Sequence, residues 1–318
     1  MAIQWFPGHM NLTKKAITER VKNIDVVIEL LDARLPGSSA NPMLAQLTSA
    51  KPALKVLNKQ DLADPARTEA WLAHYNSLGS ATKAIALDAS VASVSARLIE
   101  ACRTLAPKRG GAVKPLRVLI CGIPNVGKST LINTLAGKTK AKTGDEAGVT
   151  KMEQRIALAS DFYLFDTPGM LWPRIIVAKS GYNLAASGAV GRNAFDEEEV
   201  ALELLDYLKG AYRQAVIARY KIADTGLFDE QTAENDIALL SLIGRTRGAL
   251  LPGNKVNLQK AAECAIHDFR AGLLGRVTLE TPEEYAAWLA EGRVLDAERQ
   301  VRKDAFEARK SGKGKKAD

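Results

Sequence analysis

The stretch Gly122-Ile123-Pro124-Asn125-Val126-Gly127-Lys128-Ser129 constrains this chain more than any other. It follows a short apolar run, Leu116 to Cys121, and leads into a helical pattern from Lys128 to Leu135 that Gly137 closes. Glycines in such a turn let successive backbone N–H groups curl around phosphate oxygens. The N-terminus of the following helix adds the positive end of its dipole. The loop Gly122 to Thr130 is therefore expected to cradle phosphates through Asn125, Val126, Gly127 and Thr130. Lys128 would reach the outer phosphates, and the Ser129 hydroxyl would bind Mg²⁺. A strand, a glycine-rich loop and a helix in that order predict an α/β fold with its ligand at a strand end.

The rest of the first half repeats the alternation. Asp25 to Asp32, Ala53 to Leu57 and Ala84 to Leu87 read as buried strands, and Asn11 to Asn23, Ala66 to Leu78 and Ser93 to Leu105 as helices. Gln154 to Leu158 and Phe162 to Phe165 read as two more strands around a turn at Ser160-Asp161. The expected fold class is α/β, a mostly parallel sheet with helices on both faces, followed by an all-α region. Beyond residue 190 the pattern turns helical at Glu197 to Lys209, Tyr212 to Tyr220, Glu234 to Ile243 and Leu258 to Ala271. The expected division is an α/β domain at 1–180 with an N-terminal arm, a helical domain at 190–280, and a helical extension with a basic tail at 281–318. Thr281-Pro282-Glu283-Glu284 has the composition of a helix start, with a capping Thr, Pro in the first turn and Glu three residues on.

Four further segments carry chemistry. Asp166-Thr167-Pro168-Gly169 ends a strand downstream of the phosphate loop. Asp166 there can hold Mg²⁺ through water, and the Gly169 N–H can sense a γ-phosphate. Asn58-Lys59-Gln60-Asp61 ends another strand. The Asp61 carboxylate can accept from guanine N1–H and the exocyclic amine. Adenine lacks those donors and would leave the carboxylate unpaired. Lys59 can lie along the base, and Asn58 can tie the loop to its neighbours. After the next strand, Asp88-Ala89 stands where the usual partner of N-K-x-D, a short Ser-Ala-type loop touching guanine O6, is expected, and is a poor copy of it. Thr150, in the polar segment between the two phosphate motifs, is placed to complete a Mg²⁺ shell when γ-phosphate is present.

Charge and cysteine content bear on partners. The formal net charge is +8 and the pI about 9.3, which favours a polyanion. Arg299, Arg302, Lys303, Arg309, Lys310, Lys313, Lys315 and Lys316 concentrate that charge near the end of the chain. No stretch approaches the ~20 apolar residues of a membrane helix, and the first residues lack the pattern of a signal peptide. Cys102, Cys121 and Cys264 are widely spaced, as expected of thiols in a reducing compartment, and the scattered Cys and His make no zinc cluster.

The guanine motif precedes the phosphate loop. The order N-K-x-D, short loop, phosphate loop, threonine loop, D-x-P-G is that of circularly permuted GTPases. With Trp5-Phe6-Pro7-Gly8-His9-Met10 and Asp32-Ala33-Arg34, it resembles the RbgA/YlqF family of ribosome-biogenesis GTPases. The resemblance covers residues 1–280, and the segment Phe269 to Glu280 is similar to the family's end. It implies a Mg²⁺-dependent GTPase that acts on the large (50S) ribosomal subunit during assembly, with the ribosome as partner and activator. It also implies rRNA contact through phosphates, no DNA partner, and a cytoplasmic monomer. Met170 stands where many GTPases carry the water-positioning Gln, so slow intrinsic hydrolysis is expected. The resemblance points to His9 as the substitute, with Lys128 and Thr150 as the other catalytic groups, and to Asn125 as a K⁺ ligand. Two alternatives stay open: a GTPase acting on another RNA, and a non-catalytic scaffold governed by guanine nucleotide.

Overall fold

A computed structural model describes residues 3–91, 93–111, 114–137 and 155–314. Its centre is a six-stranded sheet in the order β3-β2-β1-β4-β6-β5. The strands are β1 (Val26–Asp32), β2 (Ala53–Asn58), β3 (Thr82–Ala86), β4 (Leu116–Gly122), β5 (Arg155–Ala159) and β6 (Phe162–Asp166). All pairings are parallel except the edge pair β5–β6.

Every residue of β1 is buried, as a strand covered on both faces requires. Successive residues point to opposite faces. Leu30 and Val56 enter the main core with β4 and β6, whereas Leu31 and Leu57 enter a smaller core with Trp71 and Tyr75 of α3 (Pro65–Asn76). Besides Asp32 at its end, β1 carries one carboxylate, Glu29, in mid-strand. It is neutralised by Lys55 on β2 and accepts the Asn41 N–H at 2.8 Å.

The chain builds the sheet outward from β1 to β3, then returns to β1's other side with β4. Parallel α/β sheets bind ligands at such a reversal, outside the carboxyl ends of the strands. The register aligns Asp32 with Asn58, Leu30 with Gly122 and Ile120 with Asp166. All four motif-bearing strand ends therefore share one edge.

Helices α1 (His9–Val21), α2 (Pro42–Thr48), α4 (Val94–Leu105) and α5 (Lys128–Ala136) complete the α/β layer. Next come α6 (Ala178–Ser187), α7 (Glu197–Ala211), α8 (Arg213–Tyr220), α9 (Ala233–Thr246), α10 (Leu258–Arg270) and the long α11 (Pro282–Gly314). In the helical layer α7 packs against α6, α9 and α10. Buried Lys209 on α7 is held there by Asp236 at 2.6 Å and the Glu230 carbonyl at 2.9 Å.

Sequence periodicity gave no sign of α2 or α6. The first is too short for a hydrophobic stripe; its signal is the Asn41 cap, whose side chain accepts from Met43 and Leu44 N–H before Pro42 at the first turn. The second turns Ser180, Gly181 and Leu184 to Ser187 inward while Lys179, Tyr182 and Asn183 stay part-exposed; with Leu184 the one large apolar residue on the buried side, it carries no hydrophobic stripe. The helical region also contains a two-residue hairpin, β7 (Leu250–Leu251) and β8 (Lys255–Val256), which makes it not purely α. At α11 the capping box forms in full. Thr281 N–H donates to the Glu284 carboxylate at 2.7 Å, and Glu284 N–H to the Thr281 hydroxyl at 3.2 Å.

Candidate functional site

Asn58 joins three motifs. Its Nδ2 donates to the Val126 carbonyl in the phosphate loop at 2.8 Å, and its Oδ1 accepts the Ala89 N–H at 2.9 Å. Base loop, Asp88-Ala89 loop and phosphate loop thus form one unit although their order in the chain is permuted. Gly127 makes the approach possible: its φ is 97°, and a Cβ there would lie 2.4 Å from Asn58 Nδ2. Lys59 also has a left-handed φ of 62°. Its ammonium reaches Asp32 at 2.8 Å and the Asn125 carbonyl at 3.1 Å, lying between the base and phosphate loops. The Asp88 carboxylate accepts from Ser90 N–H and Oγ at 2.9 and 2.7 Å, so Ser90 holds it in a local turn.

Lys128, at the start of α5, is buried and donates to the Ile123 carbonyl at 3.2 Å. Across from it, Asp166 Oδ1 is buried with no hydrogen-bond partner among the described residues. Burial lowers the Lys128 ammonium and raises the Asp166 carboxyl; their mutual attraction offsets this only in part. A buried cation and a buried anion, each short of partners, suit a polyphosphate on one side and a divalent cation on the other. Gly169 closes the gap, since a Cβ there would sit 2.8 Å from Pro124 Cα and 3.2 Å from Lys128 Nζ. Ser129 follows Lys128 on α5 and Thr130 follows Ser129. Thr150 lies outside the described residues. His9 begins α1, with its side chain outside them.

Met170 is fully buried. Its N–H donates to the Gly122 carbonyl at 3.1 Å and its own carbonyl accepts Asn41 Nδ2 at 2.7 Å. The next residues meet the N-terminal arm: Gln4 and Ile175 exchange side chain-to-backbone hydrogen bonds at 2.9 Å in both directions. Asn125, with a left-handed φ of 57°, donates its Nδ2 to the carbonyl of Gly188, just past α6, at 2.7 Å. That bond leaves its Oδ1 available to a cation.

Sequence reasoning missed a strap. After α10 the chain returns across the base loop. Arg276 donates to the Ala63 and Gln60 carbonyls at 2.8 and 2.9 Å, and Val277 N–H to the Leu62 carbonyl at 3.0 Å. The backbone on both sides of Asp61 is fixed in this way, while Asp61 itself is exposed. With Asp61 presented so, Asp61→Asn should weaken GDP binding about a hundredfold or more, by losing two charge-assisted hydrogen bonds, and improve binding of the xanthine analogue. Titration calorimetry with both nucleotides reads this; unchanged GDP affinity would remove Asp61 from the site.

The strap ends at Glu280, which is fully buried. Its carboxylate accepts the Ser38 N–H at 2.7 Å, the Ser38 hydroxyl, and Asn183 Nδ2 at 3.2 Å. Burial pushes it up to about 7, against the pull of these donors. A folded-state pKa above the unfolded value means that Glu280 stabilises the fold at acid pH. That contribution falls away as pH rises from about 4.5 to about 7. Urea unfolding should therefore show the stability of the wild type relative to Glu280→Gln declining over that range. A constant difference would exclude the shift.

The chain was compared with known proteins. A family model described as 50S ribosome-binding GTPase matches residues 117–232, from β4 onward, leaving Asn58 to Asp61 outside. Ribosome biogenesis GTPase A of Bacillus cereus is 40% identical over 292 residues, covering 90% of this chain and 96% of that protein. Mitochondrial ribosome-associated GTPase 1 of Mus musculus is 32% identical, covering 87% and 90%. Among solved structures, GNP-bound YlqF from T. maritima superposes with a TM-score of 0.61 at 23% identity, over 85% of this chain and 98% of that one. At that identity the likeness supports the fold.

Proposed function

The chain belongs to the ribosome biogenesis GTPase A family, and from that premise we propose that it binds and hydrolyses GTP as a switch in assembly of the large ribosomal subunit. The observation that carries this reading is the Asn58 junction, which brings the guanine and phosphate motifs to one sheet edge. Asp61 would accept from the base, and the 125–130 backbone and Lys128 would hold the phosphates. Ser129, Asp166 and, with GTP, Thr150 would hold Mg²⁺. When bound, the cation neutralises charge developing on the β- and γ-oxygens. Lys128 adds a fixed positive charge in a site screened from water, where it acts at low dielectric. Met170, immobilised in the core, cannot orient water; His9 is assigned that task, and the ribosomal particle that of completing the site. Asn125 Oδ1 would take K⁺. We divide the chain into the α/β region and arm, the helical region and the α11 extension, and expect a monomer contacting rRNA. Among the described residues no helix is long and apolar enough to cross a membrane.

Single-turnover GTP hydrolysis with and without 50S particles tests the proposal. Stimulation of about a hundredfold or more is expected, with loss of stimulation but not of nucleotide binding in His9→Ala, and faster turnover in KCl than in NaCl. GTP binding with no hydrolysis in any of these conditions would favour the scaffold reading that Met170 allows.

A further inference from the structure

Helix α11 has two parts. Its root is packed. Gly292 lies so close to the backbone after the D-x-P-G motif that a Cβ would sit 2.5 Å from the Ile176 carbonyl. Arg174, in the same segment, pairs with Asp296. Tyr285 stacks edge-on against Trp71 at 5.9 Å, and Glu284 accepts from Tyr207 at 2.8 Å. Beyond Asp296 every described side chain is exposed through Glu307. Those residues, 297–307, make this free part about 16 Å long at about 1.5 Å per residue.

The free part is not uniformly polar. Leu295 and Arg302 are seven residues apart, as are Arg299 and Phe306. On a helix these four form one face, and Lys303 flanks it. Leu295 and Phe306 are 54% and 65% exposed. The carboxylates near this face are Glu298, 4.0 Å from Arg302, and Glu307, 3.9 Å from Lys303; Asp304 is engaged by Gln300 at 2.7 Å. Exposed pairs of this kind are weak and exchange readily for a phosphate.

We propose that α11 from Leu295 to Glu307 is a rigid docking arm for the RNA phosphate backbone, with Arg299, Arg302 and Lys303 as its contacts. Charge complementarity and the fixed root favour this occupant. The basic face carries only two large apolar residues, too few for a helix lying in a membrane surface. The other exposed stripe, Val294, Ala297 and Val301, is narrow and runs into Asp304, a poor seam for a second copy. The choice of RNA among polyanions rests on the ribosomal reading above; the arm's chemistry does not depend on GTP hydrolysis.

The test is fluorescence anisotropy of a short labelled RNA duplex with the full chain, across about 50 to 200 mM KCl. Arg299→Gln/Arg302→Gln/Lys303→Gln should weaken binding about tenfold or more and reduce the slope of log Kd against log salt by about 2–3, one per lost phosphate contact. Glu298→Gln/Glu307→Gln should tighten it. GDP affinity should be the same in all three proteins, so a fault in the nucleotide site is scored separately from a fault in the arm. An unchanged affinity and slope in the triple variant would overturn the proposal. So would loss of binding to phosphatidylglycerol vesicles with RNA binding intact, or a dimer by light scattering that Val294→Asp/Val301→Asp disperses while RNA binding remains.

Discussion

Arg34→Leu is expected to cost the fold about 3–5 kcal/mol, the range for breaking a buried ion pair from one side. Arg34 is 1% exposed. Its guanidinium grips Asp32 with two hydrogen bonds, at 3.0 and 2.8 Å. A third nitrogen donates to the Phe269 and Arg270 carbonyls at the end of α10, at 3.1 and 3.3 Å, and the guanidinium lies 4.7 Å from the centre of the Phe269 ring. It thus caps a helix C-terminus, where positive charge is favoured. Burial alone would raise the Asp32 carboxyl, but the charges of Arg34 and Lys59 outweigh it and hold it well below the usual carboxylate range. A depressed folded pKa gives stability that is present above the unfolded value and lost as pH falls, so near neutral pH the pair contributes fully. In the variant Asp32 keeps only Lys59 as a charged partner, and Lys59 must then abandon its place between the base and phosphate loops or leave Asp32 less compensated. Denaturant unfolding should show the loss, GDP affinity should fall with it, and adding Asp32→Asn should restore part of the stability. A loss under about 1 kcal/mol, the range of an exposed pair, would contradict this account.

Asp166→Asn should separate stability from activity. Asp166 Oδ1 is buried without a partner among the described residues, and burial raises its carboxyl. A raised folded pKa makes the ionised form a burden on the fold at neutral pH. Removing the charge should leave the nucleotide-free protein as stable as the wild type or more so. GTP hydrolysis, in contrast, should fall about a hundredfold or more, the scale for removing one preorganised electrostatic contributor, and excess Mg²⁺ should not restore it. Thermal unfolding without nucleotide and single-turnover hydrolysis read the two effects. A destabilised apo protein, or unchanged hydrolysis, would show that Asp166 serves the fold and not the cation.

The two variants probe parts of the site that differ in how far sequence alone revealed them. Asp166, Lys128, Ser129 and Asn58 could be named as candidates because each requirement is local. A turn that cradles phosphate needs glycine where φ is positive, as at Gly127, and must join a strand to a helix, as β4 and α5 do. Those conditions lie within a few contiguous residues. The role of Asn58 as a tie was also legible, since a side-chain amide has few other uses at that strand end. Asp88-Ala89 lies beside the base loop, where Ala89 N–H meets Asn58 and Ser90 holds the Asp88 carboxylate. Helices α2 and α6 escaped because one is too short and the other buries mainly Ala, Ser and Gly, which make no hydrophobic stripe.

The α/β class, the strand ends expected to carry chemistry and the permuted order of the guanine and phosphate motifs can thus be read from the residues in order. How the helical region is fastened to them emerges with packing alone. Arg34 meets α10, Arg276 meets the base loop, and Glu280 meets Ser38 across separations of more than two hundred residues. None of these residues is unusual in its own neighbourhood. Each gains its energetic weight from being removed from water, and burial is a property of the packed chain that no short window of sequence contains.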